Sequence, residues 1–325
     1  MNRIIPLFLA LFCTFAACSS ANVESARIVQ EGIKQYEAKQ YDKALVTFKN
    51  AVTRDPNNDK AYIYMAKIEA NYRNYDGAVQ YLEMAAGIYD DPQYWCEMGN
   101  AHYAQGRELL QAGQTNEAAR VFGKCVTEMK RALENDPNFA EASLGLARCY
   151  EGMDQFDEAA KAYSKSIRSN PKLRINGVTA HYQELGALYL RFGFFDEAEA
   201  VLNNGLLNNL EDGQLETTLA DALYDMGQFD KALAHYETAI TSLERMAMPQ
   251  ATQLSAIYGA GKAALALARS VEKETPANAK PHYDKARQHF SRFADLALSD
   301  SESIRRADAV ERMREIDAGL EKIAL

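Results

Sequence analysis

Glycine and proline are scarce in this sequence: its 325 residues include 18 glycines and 8 prolines, whereas alanine is abundant. Alanine favours helices and the two scarce residues interrupt them, so the composition predicts helices joined by short turns and disfavours an extended sheet. Basic residues are outnumbered too, with 36 Lys and Arg against 45 Asp and Glu and a net charge of −9. Because a phosphate backbone binds basic surfaces, we expect no nucleic-acid partner.

Motifs of catalysis and metal binding are absent from the sequence. It contains no HExxH motif, no glycine-rich phosphate loop and no GxSxG motif. His282 and His289 are seven residues apart, but no carboxylate accompanies them at a ligand spacing. We therefore expect no enzyme, no metal site, no cofactor and no small-molecule substrate. Trp95, the single tryptophan, is interpreted as a core residue.

The N-terminus carries an apolar run from Ile4 to Ala17 that follows Arg3. This length is typical of a secretion signal, whereas a membrane-spanning helix needs about 20 apolar residues. The run ends in two alanines followed by Cys18, which resembles the lipobox of bacterial lipoproteins. The resemblance implies a signal peptide over residues 1–17, lipid attachment at Cys18 and a short linker over residues 18–24.

The residue after the cysteine bears on the location of the protein. In the sorting rule of the lipoproteins that this segment resembles, an aspartate there retains the protein at the inner membrane. Here the residue is Ser19, which favours a lipid anchor on the periplasmic face of the outer membrane. The alternative is ordinary cleavage after Ala21, which would release a soluble periplasmic protein.

Three cysteines lie outside this segment, namely Cys96, Cys125 and Cys149. Their number is odd and none forms a CxxC motif. Buried free thiols are one interpretation. A bridge between Cys125 and Cys149 in an oxidising periplasm is the other.

A four-residue phrase recurs seven times, with a large aromatic residue or leucine four positions after its alanine. The phrase alanines are Ala44, Ala78, Ala118, Ala159, Ala198, Ala232 and Ala286, and the large residues are Phe48, Leu82, Phe122, Tyr163, Leu202, Tyr236 and Phe290. Ala44 and Ala78 are 34 residues apart, as are Ala198 and Ala232. Small residues precede the phrase at Gly32, Ala66, Gly99, Ala147, Gly186 and Ala220.

This pattern resembles the tetratricopeptide repeat, a pair of antiparallel helices, A and B, with a period of 34 residues. The resemblance implies an all-α, right-handed solenoid of about seven helix-turn-helix repeats over residues 25–300. Gly99 precedes Ala118 by nineteen residues instead of twelve, so the third repeat is predicted to be about two turns longer in each helix. The last repeat is also elongated, with Gly259 or Gly261 in helix A and a loop over Glu274–Ala279.

Residues 301–325 are predicted to form a capping helix on the last repeat. Its apolar residues, spaced by threes and fours, are expected to face that repeat; they are Ile304, Ala307, Val310, Met313, Ile316, Leu320 and Ile323. A helix lying on a membrane surface is the alternative, although its polar face carries charges of both signs.

In the family that the sequence resembles, helix A of each repeat lines a concave groove that binds peptides. The corresponding residues are Val29, Ile33, Tyr36, Ile63, Lys67, Asn100, Tyr103, Arg148, Arg191, Asp221 and Tyr224, with Cys96, Leu144 and Gln183 at equivalent positions. Packing between repeats is the alternative role for each. The carboxylate clamp of the family uses lysine and asparagine where this chain has Val29 and Ile33, so we expect no capture of a C-terminus by that device.

The combined resemblance indicates a scaffold rather than an enzyme. We expect a membrane-anchored protein that binds envelope proteins or peptides and aids assembly of a type IV pilus, secretin or outer-membrane barrel complex. It is similar in this respect to pilotin-type lipoproteins. A periplasmic adaptor for peptidoglycan enzymes is the alternative.

Overall fold

The structure is a computed structural model that describes residues 22–174, 179–209 and 212–324. The predicted signal peptide, Cys18 and most of the linker lie outside the described residues. Within them the fold is all-α, with fifteen α-helices and no strand. The helices are α1 (22–37), α2 (Tyr41–Arg54), α3 (Asp59–Asn71), α4 (Tyr75–Ile88), α5 (Pro92–Gln111), α6 (Thr115–Asn135), α7 (Ala140–Glu151), α8 (Phe156–Ser169), α9 (Ala180–Arg191), α10 (Phe195–Asn208), α11 (Gly213–Asp225), α12 (Phe229–Arg245), α13 (Gln250–Glu272), α14 (Pro276–Leu296) and α15 (Ser303–Ala324), the last preceded by a 3-10 turn over Asp300–Glu302.

The chain divides into two compact units, Met1–Ser169 and Asn170–Leu325. In the first unit, α1 to α8 pair in chain order into four helical hairpins. In the second unit, α9 to α14 form three more hairpins and α15 packs on the last of them. The prediction of seven helix-turn-helix repeats followed by a terminal helix is confirmed.

The phrase alanines and the large residues after them form the inside of the hairpins. All seven alanines and all seven large residues are buried, and in four hairpins a glycine of helix A lies against the large residue. A β-carbon on Gly32 would stand 2.6 Å from the ring of Phe48, and one on Gly186 would stand 2.6 Å from Leu202. In these hairpins the two helices approach closely because helix A has no side chain at this position, and Ala66, Ala147 and Ala220 supply the small residue in the other hairpins.

Six of the seven hairpins turn through one backbone geometry. The second residue before the start of each helix B has a positive φ, and the next N–H donates a hydrogen bond back to the last turn of helix A. Glycine occupies this position in three hairpins, at Gly113, Gly193 and Gly227, and Lys39, Arg73 and Asp154 occupy it in the others.

The third and last hairpins are elongated, as predicted. Helices α5 and α6 have 20 and 21 residues, and α13 and α14 have 23 and 21. The glycine assignment in the third hairpin was wrong: Gly106, not Gly99, lies against Phe122, and Gly99 lies against Met129 of α6. Gly106 precedes Ala118 by the regular twelve residues, so the additional residues of α5 lie at its N-terminal end.

In the last hairpin both candidate glycines have a role. Gly261 lies against Phe290 of α14, whereas Gly259 lies against Tyr236 of the preceding hairpin. The predicted loop is shorter than expected, because Pro276 to Ala279 belong to the first turn of α14. Proline is tolerated there since the first N–H groups of a helix have no acceptor within it.

The terminal helix packs with the predicted face only in its C-terminal half. Ile316 is buried and Met313, Leu320 and Ile323 are half-buried. In the N-terminal half Ala309 is buried instead, whereas Ile304 is 83% exposed and Val310 is 36% exposed. The reason is the inward position of Arg305, whose guanidinium lies 4.8 Å from the ring centre of Tyr258. Stacking of a guanidinium on an aromatic ring stabilises this rotation of the helix, and hydropathy alone does not report it.

The structure decides between the two interpretations of the cysteines. Cys125 of α6 and Cys149 of α7 form a disulfide with a Cα–Cα distance of 6.1 Å, so the free-thiol interpretation holds only for buried Cys96. Trp95 is half-buried at the edge of the core of the second hairpin, and its Nε1 donates to Asp90 at 2.5 Å.

Candidate functional site

Helices α3 and α5 of the first unit border a cavity of about 250 Å³. Its wall is mainly apolar, with Ala66, Ala70, Ala101 and Leu82 among the lining residues. Three of the predicted groove residues, Ile63, Lys67 and Asn100, lie in this wall. Neighbouring A helices thus bring these three residues together, and their role in binding a peptide stays a prediction.

Two side chains of opposite charge, Lys67 and Glu97, line the cavity wall. Lys67 of α3 lies with its Nζ 5.5 Å from the ring centre of Tyr64, and Glu97 lies on α5. Within the described part of the chain, neither forms an ion pair, and both side chains are half-buried. A half-buried charge without a partner gains from an opposite charge that a ligand supplies.

An ion pair connects the second and third hairpins beside the cavity. Arg73 donates to Glu108 at 2.5 Å, and the hydroxyl of Tyr75, which also lines the cavity, donates to the same carboxylate. The hydrogen bond from Tyr75, with Arg73 adding to it, holds the pKa of Glu108 below its usual range. Glu108 therefore stays ionised, and its charge is already neutralised within the protein.

The predicted residues of the first hairpin have a packing role. Val29 is 2% exposed and belongs to the core of the hairpin, and Ile33 packs partly buried against that core. Tyr36 is also half-buried, with its ring 5.3 Å from Tyr41 and 5.4 Å from Tyr64. Val29 thus offers a partner no surface, whereas Ile33 and Tyr36 are each partly exposed.

Further along the first unit the predicted groove residues differ in how far they are buried. Tyr103 is half-buried, with its ring 6.0 Å from Phe122, and Arg148 is half-buried on α7. Cys96 and Leu144 are buried. Since Gly106 defines the true register, Arg107 takes the position in the third hairpin that Lys67 takes in the second.

The second unit holds the remaining predicted residues. Arg191 is exposed at the end of α9, with its guanidinium 5.2 Å from the ring centre of Phe192, and Gln183 is half-buried. Asp221 on α11 accepts a hydrogen bond from Tyr236, and loss of hydration among the surrounding side chains raises its pKa. Tyr224 lies beside Asp221, and its ring centre is 4.5 Å from Nζ of Lys262.

Tyr258 and Lys262 lie with Tyr224 on this surface and are not among the residues predicted from the sequence. Nζ of Lys262 is 6.0 Å from the ring centre of Tyr258, whose hydroxyl donates to Asp308. The repeat pattern could have predicted both residues, because Tyr258 and Lys262 have the same spacing from Gly261 as Ile63 and Lys67 have from Ala66. The irregular spacing of the last repeat makes this correspondence hard to recognise in the sequence.

The described residues contain no group of three or more His, Cys, Asp or Glu side chains that could hold a metal ion. Likewise, none of the described helices combines the length with the apolar character that a membrane span requires.

Comparison with known proteins identifies the repeats. A sequence model described as tetratricopeptide repeat matches residues 35–96 and 109–182, and a second model with the same description matches residues 217–242. A TPR repeat-containing protein of Methanocaldococcus jannaschii is 21% identical over 238 residues, which cover 66% of this chain and 42% of the relative. The chain therefore spans less than half the length of that curated relative.

Two solved structures share the fold. The C-terminal part of a TPR repeat-containing protein from Cytophaga hutchinsonii superimposes with a TM-score of 0.56 at 14% identity, over 86% of this chain and 98% of that one. The structure of Pseudomonas aeruginosa pilF gives a TM-score of 0.52 at 14% identity, over 70% of this chain and 93% of that one. At this identity the likeness concerns the fold alone.

Proposed function

The chain is a tetratricopeptide repeat protein, and from this we propose that it is an envelope scaffold, anchored by a lipid at Cys18, which binds another polypeptide in the cavity between α3 and α5. TPR proteins bind protein partners, and the stacked A helices provide the surface for that here. The observation that carries the proposal is the apolar cavity flanked by Lys67 and Glu97, each without an ion-pair partner in the described chain.

The size of the cavity favours a side chain over a small molecule. Pockets for drug-sized ligands measure about 300–1,000 Å³, whereas this one measures about 250 Å³. We propose that it takes one apolar side chain of the partner as an anchor. An acidic partner residue would lie near Lys67 and a basic one near Glu97, which would fix the register of the bound segment.

Two observations support an envelope location. The N-terminal run and Cys18 resemble a lipoprotein signal, and the Cys125–Cys149 disulfide suits an oxidising compartment. We propose that the protein aids assembly of a pilus, secretin or barrel complex. An adaptor for peptidoglycan enzymes would use the same cavity and is the second candidate.

Affinity isolation from native membranes tests the partner. Recovery of secretin or barrel subunits would support the assembly role, and recovery of peptidoglycan hydrolases would support the adaptor. We expect Lys67→Glu to reduce the recovered partner at least tenfold by reversing a charge at the cavity. The matched control is Lys124→Glu, which makes the same change on the exposed side of α6 and should leave recovery unchanged. Equal recovery with a folded Lys67→Glu variant would contradict the proposed cavity.

The anchor is tested separately by Cys18→Ser. We expect the variant to leave the membrane fraction, because a serine cannot carry the thioether-linked lipid. Cys13→Ser changes a cysteine of the predicted signal and should remain with the membrane. Membrane residence of the Cys18→Ser protein would rule out the lipid anchor.

A further inference from the structure

The cavity between α3 and α5 has an apolar floor and a polar rim. Four buried apolar side chains form the floor, namely Ala66, Ala78, Leu82 and Ala101. The rim includes polar side chains that are half-buried or exposed, namely Lys67, Asn71, Glu97 and Asn100. A side chain that enters the cavity therefore needs a large apolar body, and any polar atom that it carries must lie near the rim.

The volume of the cavity suits two fused rings. An apolar cavity of about 150 Å³ accommodates a molecule of benzene, and this one measures about 250 Å³. An aliphatic side chain or a single aromatic ring would leave part of the space empty, and the lining residues would lose dispersion contacts there. The indole ring of tryptophan is the natural side chain with two fused rings.

Trp95 shows how this chain holds an indole ring of its own. The ring packs partly buried against an apolar cluster that includes Ala66, Ala78 and Leu82. Its Nε1 donates to the carboxylate of Asp90 at 2.5 Å, and the guanidinium of Arg131 lies 5.7 Å from the ring centre. An apolar surface, a carboxylate and a cation thus surround the indole.

The cavity offers the same three groups to a partner. Its floor is apolar, and Glu97 supplies a carboxylate that has no ion-pair partner in the described chain. Lys67 supplies the cation, and its Nζ already lies 5.5 Å from the ring centre of Tyr64. Tyrosine fits less well than tryptophan, because its hydroxyl is at the far end of the ring and would point towards the apolar floor.

We propose that the anchor side chain of the partner is a tryptophan, whose indole ring fills the cavity while its N–H donates to Glu97 and Lys67 lies near the ring face. The inference rests on the proposed function, which assigns the cavity as the binding site without naming the side chain. Tryptophan is also among the residues that contribute most to the affinity of protein interfaces.

Isothermal titration calorimetry of the purified protein with blocked pentapeptides Asp-Gly-X-Gly-Lys tests the proposal. X is tryptophan, tyrosine, leucine or 3-benzothienylalanine, an isostere of tryptophan in which sulfur replaces the indole N–H. The tryptophan peptide should bind at least about fivefold more tightly than the tyrosine and leucine peptides. The benzothienyl peptide should bind about tenfold more weakly than the tryptophan peptide, because it lacks the donor to a charged acceptor.

Glu97→Ala should bring the affinities of the tryptophan and benzothienyl peptides to within about twofold of each other, since the acceptor is gone. Glu83→Ala makes the same change at an exposed position of α4 and should preserve the difference. Circular dichroism verifies that both variants are folded. A difference that persists in Glu97→Ala would overturn the proposal.

Equal or tighter binding of the leucine or tyrosine peptide would overturn it as well, and so would a failure of all four peptides to bind. The proposed function is tested independently by the effect of Lys67→Glu on recovery of the native partner. If Lys67→Glu reduces recovery but the peptides show no preference for tryptophan, the cavity remains the binding site and only the choice of side chain is wrong.

If Lys67→Glu leaves recovery unchanged, the cavity itself is wrong.

Discussion

Phe122 lies directly beneath Gly106: a β-carbon on this glycine would stand 2.7 Å from the phenylalanine ring. The contact joins the two helices of the third hairpin at the point where they are closest. It also restores the regular register of a repeat whose helices are longer than those of its neighbours. The additional turns thus extend the hairpin without altering the packing at its centre.

Gly106→Ala should lower the free energy of unfolding by about 1–3 kcal/mol, because the methyl group overlaps the buried ring of Phe122. Gly123→Ala, one residue after that ring on α6, should raise it by about 0.5–1 kcal/mol, because a β-carbon there meets nothing within 4 Å and alanine favours the helix. Urea unfolding followed by circular dichroism measures both. Equal effects of the two substitutions would contradict the close approach.

Photo-crosslinking tests the cavity in the living cell. A benzoylphenylalanine introduced at Ile63, in the cavity wall, should form an adduct with the partner protein. The same residue at Val46, which is 67% exposed on α2, should form none. Adducts in similar yield from both positions would show contact without preference for the cavity.

His181 makes stability depend on pH. The ring is buried near the start of α9, and loss of hydration lowers its pKa from 6.5 to about 4. Unfolded chains take up a proton at this residue below about pH 6.5, whereas folded chains do so only near pH 4, so its contribution is complete above pH 6.5 and is lost as pH falls towards 4.

Between pH 7 and pH 4.5, we expect the free energy of unfolding of His181→Gln to fall by roughly 1–3 kcal/mol less than that of wild type. Urea unfolding of wild type and variant at both pH values measures this difference. Both proteins contain the same carboxyl groups, so the contribution of these groups to the pH dependence cancels when the two proteins are compared. Parallel pH profiles for the two proteins would contradict the prediction.

The Cys125–Cys149 disulfide closes a loop over a sequence separation of 24 residues. Chain-entropy arguments give such a loop about 3 kcal/mol of stability. Unfolding in urea with a reductant should therefore begin at a lower urea concentration than without it. The Cys125→Ser, Cys149→Ser double variant should unfold at the same concentration in both conditions. If wild type unfolded at the same urea concentration with and without the reductant, the disulfide would be absent.

Much of the fold follows from the sequence because close packing of the two helices restricts which residues fit at the phrase alanine and at the large residue four positions after it. Every hairpin needs a small residue where its helices meet, and that requirement is visible as a spacing. The choice of Gly99 over Gly106 failed for a related reason: seven residues are close to two helical turns, so both glycines lie on the same face of α5.

Other features leave a weaker trace in the sequence. Hydropathy predicts that Ile304 is buried and Arg305 exposed, but stacking of Arg305 on Tyr258 reverses the order. Lys39 and Asp154 adopt a positive φ that glycine adopts in other hairpins, and only the tertiary fold imposes it on them. The cavity at Lys67 depends on the relative position of α3 and α5, which spacing within one repeat does not specify.

The covalent link between α6 and α7 also has a temporal aspect. Under the envelope location that we propose, the chain would cross its membrane from a reducing cytosol, where both thiols stay reduced. The third and fourth hairpins would then gain their cross-link only after export. Until that step the chain would unfold more easily, as passage through a translocation channel requires.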